Sequence, residues 1–375
     1  MKWIFWSGVA IVAYAYVGYL GWLWVRARVR RRPVKRAAFE PTVSLVMVVR
    51  NEEEVLPNKL ENLARLDYPS DRLEIVIVSD GSTDATEQIL RAHSQKEPRL
   101  RVLSSAQAKG KASGLNDAMA VLKGEIVVFT DARQQIEPGA VRLLMENFAD
   151  PSVGCVSGEL MLGDPHSGET ALGMGLYWRI EKRIRDLEAI SGSEVGATGA
   201  LYAVRRSLLV PLPQGTILDD VYLPMSVARQ GSRVVFEGRA RAWDVPDLGG
   251  SREFSRKVRT LNGNYQLLQL APWLLGGENP IRFEFISHKL LRLVVPFALV
   301  AILATSIFLT GTVYRATLVL QLVFYGLSAL AMTRVVSRGP VARAAQAAST
   351  FVILNTAAVV AFANFVLGRK GVWVR

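Results

Sequence analysis

The sequence predicts an α/β domain with a parallel, doubly wound sheet, carried between membrane-spanning helices. Three observations predict it. Short β-rich apolar runs alternate with helix-length amphipathic stretches between residues 43 and 130. An uncharged run precedes them and three more apolar stretches follow residue 290. Half of the 375 residues are hydrophobic and the mean hydropathy is +0.21, the balance of a membrane protein.

The first uncharged run, 23 residues at 3–25, is long enough to cross a bilayer as a helix. Its Trp and Tyr residues gather towards both ends, as interfacial aromatics do. Lys2 is the only cation before it, and the run is too long for the apolar region of a cleaved leader. Seven basic residues between 26 and 36 follow directly, which places the next domain in the cytosol and against anionic membrane lipid. This cluster also gives the net charge of +12 a membrane explanation; no RRM, KH or zinc-finger pattern is present, and no nucleic-acid partner is expected. Cys155 is the one cysteine, in an apolar run, so there is no internal disulfide. With three histidines there is no Cys/His zinc site either.

From residue 42 the hydrophobic period changes. Residues 43–49 read as a strand, and 52–66 as a helix with Val55, Leu56, Leu60, Leu63 and Leu66 on its apolar face. A strand at 74–79 follows, then a helix to about residue 93, a short strand at 100–103, a helix at 112–122 and a buried strand at 125–130. Neither GxGxxG nor GxxxxGK[ST] occurs, which disfavours a dinucleotide fold and removes a P-loop NTPase.

Open α/β sheets bind ligands at the carboxyl ends of their strands. Asp80, in Ser79-Asp80-Gly81, stands at such an end, where a carboxylate can accept a hydrogen bond from a nucleobase N–H; a turn with a helix cap is the plain alternative. Asp131 ends the 125–130 strand in the same way. Asp219 and Asp220 form an adjacent pair opening a helix, either as a first-turn cap or as a base with its supporting acid.

The order VSLVMVVRNEE, VIVSDGSTD, KGKASGLNDAM, GEIVVFTDAR, TGALYAVRR and TILDDVYLP resembles family 2 glycosyltransferases with the GT-A fold, a Rossmann-like arrangement. With its membrane flanks it is similar to the branch holding cellulose, hyaluronan and poly-N-acetylglucosamine synthases, over roughly residues 43–368. The resemblance implies an inverting transfer from a nucleotide sugar, with UDP as the expected nucleotide. Arg50, Glu52 and Asp80 would grip the base and ribose, and Lys111 the diphosphate or ribose. Asp131 matches the first Asp of the DxD motif, and Arg133 stands at the second. An arginine is no metal ligand, so either Asp131 holds Mg²⁺ or Mn²⁺ with the phosphates, or Arg133 itself balances the diphosphate. Asp220 matches the catalytic base, Asp219 its supporting acid, and Gly199 a close approach to the acceptor sugar.

The QxxRW motif of polymerising relatives reads Arg256-Lys257-Val258-Arg259-Thr260 here. Arg259 keeps the diphosphate register, while Arg256 and Thr260 replace the Gln and the acceptor-stacking Trp. Phe254, Val258, Leu261 and Tyr265 share one face of this segment, as in a helix lying on the membrane surface. Apolar stretches at 293–314, 316–333 and 344–368 then read as spanning helices, the first two a hairpin around Arg315. Arg334, Arg338 and Arg343 return the chain to the cytosol; a spanning third stretch, with Asn355 and Asn364, would leave Arg369, Lys370 and Arg375 outside.

The expected divisions are thus an anchor at 1–36, a cytosolic GT-A domain at 37–250, an interfacial segment at 251–288 and terminal membrane helices at 289–375. The acceptor is a growing polysaccharide or a lipid-linked molecule, with export subunits as further partners. A catalytically silent, nucleotide-sugar-binding subunit is the rival reading. The location expected is the cell membrane, multi-pass.

Overall fold

The computed structural model describes residues 1–163, 176–244, 250–333 and 339–368. Its centre is a mixed sheet of eight strands: β1 (Val43–Val49), β2 (Leu73–Asp80), β3 (Leu100–Ser105), β4 (Ile126–Thr130), β5 (Gln135–Ile136), β6 (Val153–Leu162), β7 (Leu201–Arg205) and β8 (Arg233–Asp244). Their order is β3-β2-β1-β4-β7-β6-β8-β5. The four strands read from sequence are parallel, as expected. The sheet then departs from a purely parallel one: β7 runs antiparallel to both β4 and β6, and β5 antiparallel to β8. The antiparallel pairing puts the start of β7 against the end of β4, Leu201 opposite Thr130. Residues just after β4 and just before β7 therefore meet at one sheet edge.

Alternate residues of the strands feed two cores, the period-2 signature of a sheet covered on both faces. Leu45, Met47, Ile75, Ile77 and Val128 pack with Leu56, Leu60 and Leu63 on one face. Val46, Val76, Val78, Val127 and Phe129 pack with Leu115, Leu223 and Phe285 on the other. The helix expected at 52–66 is shorter, Leu56–Ala64. Residues 52–55 form a turn because Glu52 and Glu53 donate their N–H groups to Thr86 Oγ1 and Asp84 Oδ2 of the neighbouring loop.

Among the described residues four helices are long and apolar enough to cross a membrane: Lys2–Val29, Arg282–Phe308, Thr312–Ala331 and Gly339–Val366. The hairpin between the second and third turns at Leu309–Gly311 and not at Arg315, because Gly311 (φ 136°) makes the reversal and Arg315 already lies in the next helix. The interfacial segment is a helix, Gly250–Leu270. Its aromatic residue Tyr265 stacks on Phe365 of the last spanning helix at 5.3 Å, so protein covers part of the face expected to meet lipid. Arg334, Arg338, Arg369, Lys370 and Arg375 lie outside the described residues.

The basic segment after the first span is pinned to the domain. The Arg32 N–H donates to Ile190 O, Arg233 donates to Arg32 O, the Lys35 N–H to Asp150, and Arg36 pairs with Glu237 at 3.1 Å. Arg26, in the last turn of the first span, pairs with Glu284 at the start of the second.

Candidate active site

The edge where β4 ends and β7 begins gathers three of the acidic residues singled out in the sequence, Asp131, Asp219 and Asp220. Lys111 opens the Lys111–Met119 helix, and its ammonium lies 3.0 Å from Asp131 Oδ1 and 3.1 Å from Asp219 Oδ1. Burial opposes its charge, but Asp131, Asp219 and Asp220 outweigh burial and hold it above an ordinary lysine. One cation thus joins the loop after β4 to the start of the Asp219–Arg229 helix.

The adjacent carboxylates differ in their partners. Asp219 is buried, with Lys111 on one oxygen and the Tyr202 hydroxyl at 3.3 Å on the other. Tyr202 is itself held by stacking on Phe129, ring centroids 4.8 Å apart. Burial first, and then the charge of Asp219, push Asp220 up to about 6. It is the carboxylate of the pair suited to take a proton near neutral pH. A Cβ built on Gly199 would stand 2.9 Å from Asp220 Oδ2, so Gly199 makes room for the carboxylate.

Asp80 stands at the carboxyl end of β2, as the sequence predicts. It is 2% exposed, and its two oxygens accept the N–H groups of Lys109 (2.7 Å) and Gly110 (2.9 Å). Its visible work is to shape the loop that launches Lys111, with Gly110 at φ 92°. Glu52 is half-buried and its pKa is raised by burial, with Arg133 opposing. Arg50 is exposed at the end of β1. Asn51, which the sequence reading passed over, adopts φ 54° and accepts the Thr83 N–H at 2.8 Å. The NEE and GSTD motifs therefore lace two loops together, and an asparagine tolerant of left-handed backbone was the available signal.

One terminal nitrogen of Arg133, Nη2, donates to both carboxylate oxygens of Asp244 at the end of β8, at 2.7 and 2.6 Å, and Gln134 adds a third hydrogen bond to the same carboxylate. The pairing holds the guanidinium against the end of β8, with the side chain 32% exposed. Below this loop lies a second residue that was passed over, Lys59, whose pKa burial pushes down to about 7 while Asp131 opposes. Next to Gly199, Arg185 pairs with Glu194 and donates to Thr198 Oγ1 and Ser157 Oγ, fixing the turn before that glycine.

Arg256, Arg259 and Thr260 lie on the Gly250–Leu270 helix, with Thr260 exposed. That helix is fastened to the loop before Asp219. Gln266 accepts the Ile217 N–H and donates to Gly215 O, both at 2.9 Å, and Gly263 seats against Leu218.

Among the described residues no three His, Cys, Asp or Glu side chains converge as a metal cage. Asp131 has its side chain 41% exposed, while Asp219 beside it is buried and tied to Lys111 and Tyr202. That donor set does not fit a resident ion, but it fits one that arrives on a diphosphate, since Mg²⁺-type ions are held by one or two carboxylates plus substrate phosphates.

Known proteins share the sequence pattern of this domain and its fold. Residues 44–210 match the model of Glycosyl transferase family 2. The chain is 29% identical over 188 residues to a beta-monoglucosyldiacylglycerol synthase of Synechocystis sp., covering 49% of this chain and 39% of that protein. It is 24% identical to a poly-beta-1,6-N-acetyl-D-glucosamine synthase of Staphylococcus aureus, covering 60% and 55%. The chain therefore spans about half or less of the length of these curated relatives. A mannosyltransferase from Pyrobaculum calidifontis, solved with GDP-Man and Mn²⁺, superposes with a TM-score of 0.73 at 23% identity, over 98% of this chain and 99% of that one. Residues 44–210 are a glycosyl transferase family 2 domain, and the chain has the fold of GT-A glycosyltransferases.

Proposed function

We propose that the chain is an inverting glycosyltransferase that moves a sugar from a nucleotide-diphosphate sugar, UDP-linked in our reading, to an acceptor at the membrane surface. The observation that carries this is the Lys111 ammonium between Asp131 and Asp219, beside the raised carboxylate of Asp220. Asp220 takes the proton of the acceptor hydroxyl as its oxygen attacks the anomeric carbon. The bond from that carbon to the diphosphate breaks, and the nucleoside diphosphate leaves with the electron pair. Lys111 stands where it can balance the departing charge. Asp219, tied to Lys111 and Tyr202, keeps its neighbour's pKa high.

Asp131 would hold the Mg²⁺ or Mn²⁺ carried by the nucleotide, which supplies further charge neutralisation on the diphosphate. On this reading Arg259, on the interface helix, serves the donor diphosphate, and Arg256 and Thr260 serve the acceptor. Arg50 and Glu52 form the rim on the nucleoside side. Relatives that build a glycolipid and a polysaccharide support both acceptor classes, and we favour polysaccharide synthesis. Four long apolar helices and the exposed cations Arg28, Arg30 and Arg31 support a multi-pass location with the domain on the cytosolic side.

The test is transfer of radiolabelled sugar in membranes, from a panel of UDP-sugars with GDP-mannose included, by wild type and Asp220→Asn. Product size on a gel separates chain growth from single addition. Equal background from both proteins would overturn the reading and leave a silent sugar-nucleotide binder.

A further inference from the structure

We propose that Lys59 is a positioning residue that locks the donor-side loop after β4 to the acceptor-side turn before β7. The proposal rests on the transferase reading above. Lys59 leaves the Leu56–Ala64 helix on its apolar face, beside Leu56, Leu60 and Leu63, and is 1% exposed. Its ammonium donates to Thr130 Oγ1 at 3.0 Å and to Gln134 O at 2.6 Å. These two partners bracket the segment 131–133, which carries Asp131 and Arg133. Thr130 in turn donates its hydroxyl proton to Ala200 O at 2.8 Å. Ala200 follows Gly199, the residue against which the Asp220 carboxylate rests. One nitrogen and one hydroxyl thus connect both sides of the reaction.

The energetics make this placement unusual. A buried ammonium gives up its hydration, and a carboxylate partner is the ordinary compensation. Among the described residues no Asp or Glu forms an ion pair with Lys59; a hydroxyl and a carbonyl are its partners. The surrounding cluster is apolar and would accept an unbranched methionine of similar length. A lysine here therefore opposes stability while ordering the loop, the trade expected of a group retained for the geometry of a site. A filler residue would show the reverse, with its removal costing stability and sparing turnover.

Two variants of the full chain test this in membranes or nanodiscs: Lys59→Met, which keeps the length and removes the donors, and Thr130→Val, which removes the hydroxyl link. We expect Lys59→Met to lower kcat by about tenfold to a hundredfold, the scale for misplaced reacting groups. Donor KM should change far less, and Tm should hold or rise. Thr130→Val should lower kcat similarly, and the double variant should be no slower than the slower single one. Wild-type kcat in either variant, a kcat loss that merely tracks a falling Tm, or additive losses in the double variant would each overturn the proposal. An active wild type with an equally active Lys59→Met sinks this inference alone. A wild type that transfers no sugar sinks the transferase reading and this inference with it.

Discussion

Gly199 and Asp220 lie so close that the glycine's missing Cβ would sit 2.9 Å from the carboxylate Oδ2. Real Cβ atoms essentially never approach a heavy atom that closely, so any side chain at 199 must push the carboxylate away. Gly199→Ala should therefore lower kcat by about tenfold or more while leaving donor KM near wild type, because a small displacement of a reacting group is costly. Initial rates at varied donor concentration check this, and an unchanged kcat would mean that the carboxylate has another function.

Asp220 also gives the reaction a pH signature. With its pKa near 6, the basic form is lost as pH falls through that value, and kcat should drop on the acid side with a midpoint there. The effect on stability has the opposite sense. A carboxyl whose folded pKa lies above its unfolded value binds the extra proton in the native state, so stability falls as pH rises from about 4 to about 6. Asp220→Asn should abolish turnover yet raise Tm at pH 7–8, with the gain shrinking at pH 4. Thermal melts of both proteins at the two pH values measure it.

Metal binding should require nucleotide. The protein offers Asp131 as one accessible carboxylate, already paired with Lys111. Titrated with Mn²⁺ alone, the chain should show no saturable binding by electron paramagnetic resonance. With a nucleoside diphosphate present a bound signal should appear, and Asp131→Asn should weaken it. A stoichiometric signal without nucleotide would point to a resident site.

Gln266 offers a test of how the membrane side supports catalysis. Its amide bonds Ile217 and Gly215, in the loop that leads to Asp219. Gln266→Ala should lower kcat by about tenfold without changing donor affinity. Gln266→Glu, which can still accept from the Ile217 N–H but cannot donate to Gly215, should fall between the two.

Three of the four parallel strands, β1, β2 and β4, were legible because each holds a continuous apolar run, as a sheet covered on both faces demands; β3, with Arg101 exposed, was read from Leu100, Val102 and Leu103 alone. Asp219, Asp220, Asp131 and Lys111 were legible as candidates through the motifs that hold them, and the structure brings these four together. The antiparallel half of the sheet was not, because strand direction depends on the long path between β4 and β7, which no local period records. The Arg133–Asp244 pair joins residues 111 positions apart, and nothing near either one announces the other. Lys59 was hidden for a different reason. A lysine amid leucines reads as the solvated edge of an amphipathic helix, and only its depth reveals that it points inward.

The cationic strap at residues 30–36 joins the first bilayer helix to the domain through hydrogen bonds and an ion pair, instead of dangling as a free tether. A tethered globule could sample many heights above the lipid; this one is bolted down like a turret. If the proposed transferase reading holds, an acceptor must then arrive at a single elevation, and its spacer length, measured from headgroup to reactive hydroxyl, becomes a selection rule in its own right.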